Sequence, residues 1–180
     1  MRLQHLPRGR RGYTLVEVMI VVALVGVMAA LAFFGIKRYL ATGKSKADAD
    51  SAMLGIAAAI RSYYDENRGY LDCSSDYDDF YPMKPDDRKH VLNNPGHPDH
   101  SCWKLYNVRM GPTYMSFSVR AGTKNDSPPA PPISGITYPK PKEPWFVLVG
   151  TLDLDDDKVY ARYVTSSFSP GVIHRSNEGE

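Results

Sequence analysis

Residues 13–36 form an apolar run broken by one charged side chain, Glu17. As an α-helix this run reaches about 36 Å at about 1.5 Å per residue, enough to cross a hydrocarbon core of about 30 Å. A secretory signal peptide has an apolar region of only about 7 to 15 residues before a small-residue cleavage site, so the run is read as a transmembrane helix that is retained. An ionised carboxylate at the centre of such a helix costs about 2.5 to 3.5 kcal/mol, and Glu17 is therefore expected to have a partner or a function. Charge does not orient the span, because Arg2, Arg8, Arg10 and Arg11 before it are matched by Lys37, Arg38, Lys44 and Lys46 after it.

Beyond the run, about 140 residues remain for one modest core. Setting aside the four leading arginines, 18 basic residues face 20 acidic ones, a near-neutral body that argues against a general nucleic-acid binder. After Ile36 the helical period continues but becomes one-sided. Tyr39, Ala49, Met53, Ile56, Ala57, Ile60 and Tyr64 share a face, while Lys44, Asp48, Ser51, Ser62 and Asp65 lie away from it. One helix over about residues 14–66 is predicted, with a stop at Asn67, Arg68 and Gly69.

Residues 70–101 show no period and read as a long connection. Strands are predicted at 103–108, around Met115, Phe117 and Val119, over the apolar run 145–152, and at 159–165. Residues 127–144 hold seven of the fourteen prolines and read as an extended surface loop, solvated or open to a partner. Residues 166–171 read as a turn and 175–180 as a polar tail. The fold class expected is α+β: a long N-terminal helix, half transmembrane and half amphipathic, packed on an antiparallel sheet of about four strands.

No phosphate-binding glycine loop, nucleophile elbow or His-Glu-x-x-His helix occurs, so no catalytic residues are expected. Asp153, Asp155 and Asp157 alternate as oxygen ligands do in Asp-rich Ca²⁺ turns, with a solvated hairpin turn as the alternative. Otherwise no cofactor is expected. His90, His97, His100 and Cys102 are of zinc-ligand type, but the segment around them reads as turns. Asp72, Asp76, Asp78, Asp79, Asp86 and Asp87 read as a solvated acidic stretch.

The segment Arg11-Gly12-Tyr13-Thr14-Leu15-Val16-Glu17 and the apolar helix after it resemble the N-terminus of type IV pilins and related pseudopilins. The resemblance implies a leader over residues 1–12, cut by a prepilin peptidase after Gly12, and methylation of the new N-terminus at Tyr13. It implies a precursor in the bacterial inner membrane, N-terminus cytoplasmic, that later joins an extracellular or periplasmic filament. Residues 13–36 would be the transmembrane and polymerisation helix, 37–66 its amphipathic continuation and 67–180 the head. The expected partners are the peptidase and N-methyltransferase, other pilin subunits, the pilus assembly machinery and the membrane, in a fimbrium serving adhesion or motility.

Glu17 would pair with the N-terminal amine of a neighbouring subunit, since breaking a buried ion pair costs about 3 to 5 kcal/mol and fixes the register. A head exported in this way sits in an oxidising compartment, where Cys73 and Cys102 are expected to form a disulfide, with free buried thiols as the alternative. The other readings are a pseudopilin of a type II secretion system and a membrane-tethered adhesin or binding module.

Overall fold

The computed structural model describes residues 13–154 and 156–177; of residues 32–46 only the backbone is described. The elements are α1 (Leu15–Asn67), α2 (His100–Leu105), β1 (Ser116–Gly122), β2 (Trp145–Leu152), β3 (Ala161–Ser166) and β4 (Ser169–Ser176). The chain divides into two compact units, Met1–Ala41 and Thr42–Glu180, and α1 contributes to both.

In the second unit α1 buries the stripe its period predicts: Ala49, Met53, Ile56, Ala57 and Ile60 are each at most 1% exposed and share one core with Phe117, Val119, Phe146 and Leu148 of the sheet. The helix ends one residue earlier than a glycine stop would place it. Arg68, not Gly69, adopts the left-handed conformation (φ 57°), and its N–H bonds the Tyr64 carbonyl at 2.7 Å.

The sheet is an antiparallel meander in the order β1-β2-β3-β4. Phe117 of β1 pairs with Gly150 of β2, which pairs in turn with Tyr163 of β3. At Gly150 the helix presses on the sheet: a Cβ there would lie 2.7 Å from Met53 Sδ and 2.4 Å from Met115 Cε. The missing side chain lets both methionines press onto the strand.

The architecture is the α+β arrangement expected, with four strands, but they are not the four predicted. The segment 103–108 is not a strand; its first residues belong to α2. Trp103 and Tyr106, both buried, are three residues apart, which is helical spacing, whereas a strand would have aligned Trp103 with the exposed Leu105. The fourth strand is β4, in residues read as a turn and a tail. It is an edge strand whose side chains are mostly exposed, so it carries no apolar alternation, and Pro170 and Gly171 fall at the irregularity where its pairing with β3 shifts register.

The Pro-rich segment 127–144 is indeed not a strand, but neither is it a solvated excursion. Ile133 is buried with Trp145, Val147, Val149 and Val164 on the sheet face opposite the helix, joined by Ile136, Tyr138 and Phe168. Tyr138 stacks on Phe168 with centroids 5.0 Å apart, and the Tyr77 hydroxyl donates to the Pro129 carbonyl at 3.3 Å. Thus β2 is covered on both faces, and every one of its residues is buried. The uniform apolar run 145–152 follows from that double cover.

The long connection is fastened to the free edge of β1. Tyr81 and Phe117 exchange backbone hydrogen bonds at 2.8 and 2.6 Å, and Ser74 N–H donates to Val119 O at 3.1 Å. Such pairing removes the exposed edge that β1 would otherwise present. The acidic stretch stays mostly exposed, as expected, and two of its members also hold arginines of the sheet. Asp72 receives the Arg120 guanidinium (Nε to Oδ1 2.8 Å), and Asp78 receives Arg162 at 2.6 Å.

Candidate functional site

Thr14 is the residue from which α1 starts. Its hydroxyl accepts the Glu17 N–H at 3.2 Å and its carbonyl accepts the Val18 N–H at 3.2 Å, so Thr14 satisfies donors that a helix N-terminus leaves without partners. The sequence signal is Thr14-Leu15-Val16-Glu17, the Thr-x-x-Glu order of a capping box, which the apolar period overshadowed. Glu17 is exposed one turn into the helix, near the positive end of the helix dipole, where a carboxylate is favoured.

Around Glu17 the helix is apolar on every side and covered on none. The large side chains from Leu15 to Leu31 range from 50% exposed at Val18 to 76% at Leu15, and Tyr13 is 82% exposed. A helix of this composition is ordinarily buried all round. Among the described residues no helix is long and apolar enough to cross a membrane. The described side chains of the run end at Leu31, and residues 32–36, which complete the predicted span, lie outside them. The leader 1–12, including Gly12, likewise lies outside the described residues.

In the head, Cys73 and Cys102 form a disulfide with Cα atoms 5.5 Å apart, closing the long connection against α2. The Asp-rich segment is the turn between β2 and β3. Asp153 is fully buried; its Oδ2 accepts the Lys158 N–H at 3.3 Å, and its Oδ1 has no hydrogen-bond partner. Asp157 is exposed and accepts the Val159 N–H at 2.7 Å, Asp156 pairs with Lys158 Nζ, and Asp155 lies outside the described residues.

The four residues of zinc-ligand type do not converge. Cys102 is in the disulfide, His90 bonds Asp86 at 2.6 Å, and His100 bonds the Tyr81 hydroxyl at 3.1 Å. His97 instead meets Asp79 and Asp99, the one group of three such side chains among the described residues. Burial, then the Asp79 carboxylate, raises the Asp99 carboxyl above its ordinary value. No periodicity could have announced this group, because a loop brings Asp79 back to His97 and Asp99.

The model of the prokaryotic N-terminal methylation motif matches residues 7–33. The chain is also similar to the type IV major pilin protein PilA of Myxococcus xanthus (strain DK1622), 32% identical over 76 residues. That match covers 42% of this chain and 34% of the relative, so the chain spans about a third of the length of the curated relative it matches. No solved structure matches the chain. An uncovered apolar helix, started by Thr14 and carrying one acid, therefore lies within the matched motif: the chain bears the N-terminal methylation motif of prepilins and resembles a type IV pilin.

Proposed function

We propose that this chain is a structural subunit of a type IV pilus-like filament, made as an inner-membrane precursor. A prepilin peptidase cuts after Gly12, Tyr13 becomes the methylated N-terminus, and residues 13–36 hold the subunit in the bilayer until it is extracted. The observation that carries the reading is the uncovered run from Leu15 to Leu31. Lipid covers such a surface in the precursor, and neighbouring helices cover it in a polymer.

The α-amino group freed at Tyr13 is a cation close to the start of α1, and Glu17 is the one acid in the run. In a low-dielectric bundle each neutralises the other between adjacent chains. A helix displaced by one turn leaves both unpaired, so the pair fixes the axial register. Contacts of this kind join different surfaces of successive copies and do not close on themselves, which generates a helical polymer. The small residues Gly26, Ala23, Ala29 and Ala30 permit close approach of the helices.

Mass spectrometry of the chain purified from its native host tests the processing step. The expected product begins at methylated Tyr13 and is recovered in sheared filaments. Material that keeps all twelve leading residues and stays monomeric overturns the proposal. Loss of protein secretion on deletion of the chain, with surface pili intact, assigns the same polymerisation chemistry to a secretion pseudopilin instead. We extend the proposal to Ca²⁺ at the β2–β3 turn: the buried, unpartnered Oδ1 of Asp153 supports it, and Asp157 is the other described member of the expected set. Calorimetric titration with CaCl₂, repeated on Asp153→Asn, decides that point.

A further inference from the structure

Asp79, His97 and Asp99 each bring one ligand atom to a common point, all three within 4.8 Å of one another. Each is held there by its own local structure. Asp79 Oδ2 accepts Ser75 N–H at 2.7 Å and Ser75 Oγ–H at 3.0 Å, which pins the carboxylate. The His97 ring stands edge-on to Tyr81, with centroids 5.2 Å apart. Asp99 occupies the N-cap position of α2, where an aspartate ordinarily bonds the helix N–H groups, yet its side chain makes no capping hydrogen bond. Its Oδ2 is buried, has no hydrogen-bond partner and lies 3.6 Å from His97 Nδ1.

Two carboxylates converging in a partly buried pocket favour a cation between them. His97 Nδ1, which accepts the Asp99 N–H at 3.2 Å, lies at the same point. One imidazole nitrogen beside two carboxylate oxygens is a metal-ligand set.

We propose that Asp79, His97 and Asp99 bind a divalent transition-metal ion of the Zn²⁺ class, with water as a fourth ligand. One nitrogen and two oxygens suit tetrahedral Zn²⁺, whereas Ca²⁺ and Mg²⁺ prefer about six or more oxygens. Bonds of about 2.1 Å in a tetrahedron place ligand atoms about 3.4 Å apart, close to the Nδ1 to Oδ2 separation and too long for a hydrogen bond. On binding, Nδ1 exchanges the Asp99 N–H for the metal. The ion ties Asp79 to the start of α2 inside the loop closed by Cys73 and Cys102, giving a connection with little regular structure a second clamp.

The full chain in detergent, stripped with chelator and dialysed, is titrated calorimetrically with ZnCl₂. One equivalent is expected to bind, to raise the midpoint of thermal unfolding and to be removed by EDTA. Asp79→Asn and His97→Ala each weaken binding at least tenfold, while His174→Ala, on β4, leaves it unchanged. Co²⁺ bound to the wild-type chain gives the intense visible absorption of tetrahedral coordination, a readout that does not depend on the variants folding. Absence of Zn²⁺ uptake, uptake undiminished in either cluster variant, or a weak octahedral Co²⁺ spectrum overturns the proposal.

Discussion

The Thr14 hydroxyl accepts the backbone N–H of Glu17, so one short segment both starts the helix and positions the acid on its first turn. The two roles separate by substitution. Thr14→Ala removes the cap at a cost of about 1 kcal/mol, and the first-turn amides should exchange with solvent about fivefold faster. Thr14→Ser should restore their protection, as read by hydrogen–deuterium exchange in detergent.

Glu17→Ala leaves the cap in place, because the bond to Thr14 uses the backbone of residue 17. If the acid pairs with the amine of a neighbouring chain, the variant inserts and its head folds, but filaments in the sheared fraction are lost. Wild-type amounts of filament from Glu17→Ala would reject the pairing.

Gly150 is predicted to resist replacement. Gly150→Ala places a methyl against Met53 and Met115, and because both contacts are flexible side-chain ends the cost should be about 1–3 kcal/mol. Gly55, on α1, has open space at its Cβ position, so Gly55→Ala should be stabilising by up to about 1 kcal/mol. Urea denaturation followed by tryptophan fluorescence distinguishes the two signs.

Reduction should loosen the head without dissolving it. The disulfide closes a separation of 29 residues, for which chain entropy gives about 3.5 kcal/mol. The Cys73→Ser, Cys102→Ser double variant should unfold at correspondingly lower urea and be insensitive to dithiothreitol, whereas the wild type should lose the same increment on reduction.

Alkaline titration reports on the Pro-rich cover. Burial pushes the Tyr138 phenol up to about 12 from its ordinary 10.0. The unfolded chain therefore releases that proton first, so this contribution is fully present below about pH 10 and is lost as pH rises toward about 12. Tyrosinate absorbance should show several late-ionising groups, Tyr77 and Tyr106 among them, and one fewer in Tyr138→Phe.

The chain order by itself determined the helix and its character. An all-round apolar run followed by a one-sided stripe fixes where α1 is uncovered and where it packs, since a period of 3.6 is legible in any window of a dozen residues. The placement of Glu17 and the Gly12–Tyr13 junction are linear facts, and so is the apolar uniformity of β2.

What covers β2 was decided only in three dimensions, because residues 127–144 have no period of their own and bury Ile133 through a contact the sequence does not mark. The exchange of 103–108 for β4 has the same origin. A short segment of six residues is compatible with either period, and an exposed edge strand has no apolar pattern to read. The meeting of Asp79 with His97 and Asp99 depends on loop closure between residues distant in the chain. Periodic signals report a residue's nearest neighbours along its own element, and it is the partners supplied by other elements that only folding can assign.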